Sequence, residues 1–199
     1  PMKKLRWIWI VSLALIASSA WTRPALAETP TGYVRGILTQ VMALQNDPAQ
    51  STQARSQAIH QIIERNFDFN LMAKDSLGPA YERLSGAQRQ QFTQTFSYLF
   101  QDSYTRLVLN FLKKENIQYG RELPEGDKAR VDTAIVRTNE KIPVTYLMHT
   151  APQGWVLYDV IVDGVSILQN YKTQFAQVIR TQSFEFLLNK MQEQRRAIQ

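Results

Sequence analysis

The sequence predicts an α+β fold: one four-stranded antiparallel sheet wrapped by helices. Apolar residues recur at steps of three and four up to about residue 114, at steps of two from 117 to 163, and at helical spacing again afterwards. The alternating segments are separated by very short connections, which suits a meander rather than crossovers. The 199 residues carry no internal repeat and no long linker, so helices and sheet are expected to share one core.

The first 27 residues stand apart. Lys3, Lys4 and Arg6 form a basic start, and Trp7 to about Ala20 is apolar. Ala25-Leu26-Ala27 then places small residues at the −3 and −1 positions of a cleavage site before Glu28. Residues 1–27 thus read as a cleaved signal peptide, and 28–199 as a single exported α+β domain. The alternative is an uncleaved anchor, but the apolar run falls short of the ~20 residues a spanning helix needs. No cysteine follows the cleavage site, so no lipid anchor is expected.

Charge and composition then remove several function classes. The net charge of +6 invites a nucleic-acid reading, but four of the basic residues lie in the leader with no acidic residue beside them. The remainder holds 19 basic against 17 acidic residues, a net of +2, with no basic stripe or recognition motif, so no nucleic-acid partner is expected. The absence of cysteine excludes disulfides, thiolate metal sites and a cysteine nucleophile. Two histidines, His60 and His149, leave little for a metal site, and both read as structural. There is no G-x-S-x-G, Walker or dinucleotide-binding motif, and no cofactor is expected.

In chain order, Val34, Ile37, Leu38, Val41, Met42 and Leu44 mark a helix over 31–46. Asp47-Pro48 reads as the cap and first turn of a second helix reaching about Asn66, with Ala58, Ile59, Ile62 and Ile63 inward. Asp68 caps a short third helix that ends at Leu77, with Gly78-Pro79 as its stop. Ser85-Gly86-Ala87-Gln88 is a capping box opening the longest helix, to about Lys114. Its stripe of Phe92, Phe96, Leu99, Phe100, Leu107, Phe111 and Leu112 suits a plain core.

Strands are expected over 117–121, 130–138, 142–150 and 155–163. In the third, Ile142, Val144, Tyr146 and Met148 share a face. In the fourth, Val156, Tyr158, Val160 and Val162 share one face and Trp155, Leu157 and Ile161 the other, so both are covered or one faces a cavity. Ser166 caps a helix carrying Leu168, Tyr171, Phe175, Val178 and Ile179. Ser183 caps a last one through Met191, and the polar tail 192–199 is expected to fray.

One carboxylate stands out. Asp159 lies within Trp155-Val156-Leu157-Tyr158-Asp159-Val160-Ile161-Val162, where a charge is costly unless it is hydrogen-bonded. It is either a structural acceptor or a general base in a cone-shaped pocket.

Several blocks together resemble one family. They are Asn66-Phe67-Asp68-Phe69-Asn70-Leu71-Met72-Ala73 with Leu77-Gly78, Ile142-Pro143-Val144-Thr145-Tyr146, Gly154-Trp155-Val156-Leu157-Tyr158-Asp159-Val160, and Val162-Asp163-Gly164-Val165-Ser166 with Asn170-Tyr171-Lys172-Thr173-Gln174-Phe175. In order and at these spacings they are similar to the MlaC, or toluene-tolerance, family of periplasmic phospholipid-transport proteins. Lys172 departs from the pattern, which favours Arg. The resemblance implies an NTF2-like cone with an apolar lipid cavity, no catalytic residues, and a shuttle for phospholipid between outer and inner membranes. One branch of the family is associated with hopanoids instead. The implied partners are an inner-membrane MCE-domain protein attached to an ABC transporter and an outer-membrane lipoprotein complex.

A lipid carrier also makes physical sense. A diacyl lipid has about 30 methylenes, each costing ~0.8 kcal/mol to expose to water, so it must cross water inside an apolar cavity. The residues expected to contact lipid are Phe67, Phe69, Leu71, Met72 and Leu77 around the short helix, and Phe96, Phe100 and Phe175 on the longer ones. Tyr104, Tyr146, Tyr158 and Tyr171 would line the boundary with water, and Val165 and Ile167 a cavity edge. Core packing explains any single one of them equally well. Two other readings stay open: an NTF2-like enzyme with Asp159 as base, and a protein-only periplasmic adaptor with a filled core.

Overall fold

The structure, a computed structural model, describes residues 28–199; the signal peptide read in residues 1–27 lies outside them. Helices α1 (Pro30–Asn46), α2 (Thr52–Asn66), α3 (Phe69–Leu77), α4 (Pro79–Glu82) and α5 (Gly86–Phe111) come first. Strands β1 (Asn116–Glu125), β2 (Lys128–Val136), β3 (Lys141–Ala151), β4 (Gly154–Val162) and β5 (Val165–Ser166) follow, then α6 (Ile167–Thr181) and α7 (Phe184–Ile198). Side-chain oxygens of Thr29, Ser51, Asp68, Ser85, Ser166 and Ser183 each accept an N–H from the first turn of the helix they precede. At α5 the capping box is reciprocal, with Ser85 and Gln88 each bonding the other's backbone N–H.

The helical segments depart from expectation in four places. Asp47 does not cap α2: its carboxylate accepts from the N–H of Ala49, two residues on, and so builds a turn, leaving Ser51 as the cap. Gly78, at φ 57°, does end α3, but Pro79 then opens the one-turn helix α4 because its fixed φ suits a first helical position. Helix α5 stops at Phe111, three residues early. The C-terminal tail does not fray but stays helical to Ile198. Arg195 Nε donates to Asp102 at 2.6 Å and its guanidinium stacks over Tyr98, which ties the tail back onto α5.

The sheet has five strands rather than four, in the order β1-β2-β3-β4-β5, all neighbours antiparallel. The extra strand arises because Asp163 and Gly164 both take positive φ, 49° and 80°, the conformation of a tight two-residue hairpin. A bulge also overturns the simple alternation expected in β4. Leu147 pairs Asp159 and Met148 pairs Leu157, so Tyr158 has no partner and the pattern slips by one. Leu157, Val160 and Val162 therefore share a face with Met148, Tyr146 and Val144, and Tyr158 leaves it. Its ring lies 6.0 Å from that of His149, with the Lys128 ammonium 5.7 Å from its centre.

Helix α1 covers β1 and β2, α2, α3 and α6 cover β4, and α5 runs through the helical layer against α2, α3 and α7. Between layers lie Ile59, Met72, Phe92, Phe96, Phe100, Val131, Met148 and Leu157, all at most 1% exposed. The α2–α3 link is pinned to the sheet edge: Phe67 bridges Leu157, and the Asp68 N–H donates to the Leu157 carbonyl at 2.8 Å. Asp68 also pairs with His149 Nε2 at 2.8 Å, and His60 faces Asp102 at 3.3 Å, so both histidines hold elements together. Among the described residues no helix is long and apolar enough to cross a membrane.

Candidate functional site

Two apolar cavities meet on α5. The first, about 260 Å³, lies between the last turns of α5 and strands β2–β4; Leu107, Phe111, Ile135, Ile142, Val144 and Tyr146 wall it, with Glu140 and Asp163 at its rim. The second, about 440 Å³, lies among α5, α6 and α7, with Phe100, Ile167, Tyr171 and Ile198 as apolar wall and Ser103, Asn170, Gln174 and Gln194 as polar lining. Tyr104 and Leu107 line both.

The α5 sequence explains why a void forms here. Phe92, Phe96, Leu99 and Phe100 are buried, and from Gln101 the core-facing row continues through Thr105, Val108 and Leu112. Tyr104, Leu107 and Phe111 form a second row one step round the helix, and Phe111 is 50% exposed. The C-terminal half of α5 is therefore apolar over a wider arc than the core uses, and the surplus faces the cavities.

These walls are uncharged where they are deep. Burial raises the Tyr104 phenol far above its usual range, with nearby Asp159 adding to the effect. Burial does the same to Tyr146, helped by Tyr104 and Tyr119. Tyr171 is also raised by burial, partly offset by a hydrogen bond with Ser103. All three offer a neutral hydroxyl on an apolar body.

Of the residues expected to contact lipid, Phe100, Tyr104, Tyr146, Ile167 and Tyr171 line these cavities. Phe67, Phe69, Phe96 and Phe175 stand behind them as one aromatic cluster. Phe67 lies 5.1 Å from Phe100 and 5.5 Å from Tyr104 between ring centres, and Phe96 lies 5.4 Å from Tyr171. Leu71, Met72, Leu77, Tyr158 and Val165 line neither cavity: Met72 is fully buried, and Val165 is 60% exposed on β5. Leu107 and Phe111 belong to the α5 stripe that suits a plain core, and Ile142 and Val144 to one face of the third expected strand; none of the four is among the residues expected to contact lipid. Periodicity alone does not tell a wall from a filling.

Asp159 is a structural acceptor. It is 6% exposed, and its Oδ1 accepts from the N–H groups of Val160 at 2.8 Å and Leu168 at 3.0 Å. Its Oδ2 accepts from the Ser166 hydroxyl, whose own oxygen caps α6. The carboxylate thus fastens the β4–β5 hairpin to the start of α6. Asp159→Ala is expected to destabilise the protein by about 3 kcal/mol, because buried donors lose a charged acceptor. Urea unfolding measures it, and a loss below ~1 kcal/mol would argue against this structural role.

Comparison with known proteins gives a consistent picture. The family model described as "MlaC protein" matches residues 35–193. The intermembrane phospholipid transport system binding protein MlaC of Haemophilus influenzae is 23% identical over 199 residues, covering 94% of this chain and 92% of that protein. A toluene tolerance protein of Pseudomonas putida is 22% identical over 77% of this chain and 74% of its own length. A crystal structure of a phospholipid-binding protein from Ralstonia solanacearum, in complex with a phospholipid, superposes with a TM-score of 0.74 at 22% identity. It covers 85% of this chain and 98% of that one, and at this identity the likeness speaks for the fold alone. With a family match running from the first helix into the last, the chain belongs to the MlaC family.

Proposed function

We propose that this protein is a periplasmic lipid carrier that shuttles phospholipid between outer and inner membranes. The observation that carries this is the pair of apolar cavities that share Tyr104 and Leu107 as wall, in a chain of the MlaC family. Their volumes, about 260 and 440 Å³, fall just below and within the ~300–1,000 Å³ of ligand clefts, and the wall of the first is mostly apolar, as an acyl chain requires. The relative from Haemophilus influenzae is a phospholipid transport binding protein, and the Ralstonia solanacearum structure holds a phospholipid.

A carrier needs no bond-making chemistry. It needs a cavity in which transfer from the bilayer is near balance, since a gain near the full burial energy would exceed known non-covalent affinities and forbid release. Direction then comes from the partners. On this reading these are an MCE-domain protein of an ABC transporter at the inner membrane and a lipoprotein complex at the outer membrane. The basic, apolar leader at residues 2–27 supports export, and a hopanoid is the alternative cargo.

The test is native mass spectrometry of protein purified without detergent from a periplasmic extract. The expected result is an added lipid mass, released on denaturation and identified as phospholipid in the organic extract. A bare protein mass that also gains nothing from phospholipid vesicles would overturn the reading.

A further inference from the structure

Beside the mouth of the first cavity lies a wide basin of about 940 Å³, and its lining is strongly basic: Arg55, Lys113, Lys114 and Arg137 against a single carboxylate, Glu115. Lys113 and Lys114 are exposed and form no ion pair among the described residues. Arg55 spends its guanidinium on backbone carbonyls, those of Leu44 at 3.0 Å, Asp47 at 3.1 Å and Gln50 at 3.3 Å, so its charge is not cancelled by an acid.

Arg137 stands on the ridge between basin and cavity. It lines the basin, yet its Nη2 donates to the Phe111 carbonyl at 2.8 Å and its Nη1 to Glu140 at 3.2 Å, and both of those residues line the cavity. Glu115 pairs with it at 3.3 Å from the basin side and accepts the Lys113 N–H with its other oxygen. Charge and apolar wall therefore abut within one side chain's reach: Phe111 and Leu112 belong to the cavity, Lys113 and Lys114 to the basin.

We propose that this basin is a phosphate-binding subsite, taking the phosphodiester of a lipid whose chains enter the neighbouring apolar cavity. The inference rests on the carrier reading and adds to it which part of the head group is recognised. A phosphate ester is the one anionic group common to all glycerophospholipids, a phosphodiester wherever a head-group alcohol is attached. Lysine ammoniums meet it as mobile point charges, and guanidinium N–H groups make short charge-assisted bonds to it. Recognition at the phosphate alone leaves the rest of the head group in water, so lipids with different head groups should load alike while a lipid without phosphate should not. A chain-matched diacylglycerol is that lipid.

The experiment compares uptake of phosphatidylglycerol, phosphatidylethanolamine and diacylglycerol of identical chains, from neutral vesicles, by the wild-type protein, by the Lys113→Gln/Lys114→Gln double variant and by Arg137→Met. The wild type should favour both phospholipids over diacylglycerol by about tenfold. The double variant should lose most of that preference while its diacylglycerol uptake is unchanged. Because the two lysines are exposed and form no ion pair among the described residues, this variant reads the subsite even where Arg137→Met disturbs folding. Equal uptake of all three lipids by the wild type, or a preference that survives in the double variant, would overturn the proposal. A further arm adds inorganic phosphate to lipid-free protein. A lysine-dependent rise in Tm with no preference for phospholipid over diacylglycerol would assign the basin to free phosphate and overturn the lipid assignment. Failure to take up any of the three lipids would instead defeat the carrier reading itself.

Discussion

Phe96→Ala is expected to lower the stability of the protein by about 3–5 kcal/mol, the range for deleting a fully buried phenyl ring. Phe96 is 0% exposed and sits where three helices are stitched together. Its ring is edge-on to Tyr171 at 5.4 Å and to Phe175 at 6.2 Å on α6, and lies 6.2 Å from Phe92 and 6.1 Å from Phe100 on its own helix. Phe92 in turn reaches Phe184 on α7 at 6.3 Å. Truncation removes the apolar surface of the ring and leaves a hole that its rigid aromatic neighbours cannot fill by rotating. Single domains are stable by only about 5–15 kcal/mol, so the loss is a large share of the whole. Urea unfolding should show a lowered midpoint at unchanged slope. Phe186→Ala, at a residue 44% exposed on α7, should change stability by less than about 0.5 kcal/mol. A loss below ~1 kcal/mol for Phe96→Ala would mean that the aromatic cluster is loosely packed and open to ligand.

What could be read from the sequence was whatever depends on neighbours along the chain. Ser85 and Gln88 make a capping box because a helix start needs two specific polar atoms three residues apart. Ser166 and Ser183 cap α6 and α7 for the same local reason, each accepting an N–H from the turn that follows it. What escaped depends on contacts distant in sequence, or on a choice between two nearby candidates. Asp47 and Ser51 are both good caps, and only the path from α1 to α2 decides that Asp47 makes the turn. The tail from Gln192 is polar enough to fray, and it holds because Asp102, 93 residues away, meets Arg195. The β4 bulge is a one-residue slip, invisible to a count of alternating residues, and it moves Tyr158 off the face where alternation put it. The site suffers most from this limit. An apolar stripe records that a surface avoids water, whereas a cavity records that two such surfaces fail to fill the space between them.

That distinction makes Leu107 the most informative residue to change. It lines both cavities, so whichever of them holds an acyl chain, a charge at this point is felt. Leu107→Arg is expected to reduce lipid uptake at least about tenfold, since each methylene displaced toward water costs ~0.8 kcal/mol and two displaced methylenes suffice. Stability should change little by comparison with Phe96→Ala, because Leu107 is only partly buried and a long side chain there can bring its guanidinium to solvent. Phe111→Arg, at the half-exposed lip of the first cavity alone, should weaken uptake less. The measurement is the amount of radiolabelled phospholipid recovered with protein after incubation with vesicles, set beside a thermal melt of each variant. A Leu107→Arg protein that melts as the wild type does and still carries a full complement of lipid would place the chains elsewhere in the molecule. The two cavities would then be consequences of the surplus apolar arc on α5 rather than the reason for it.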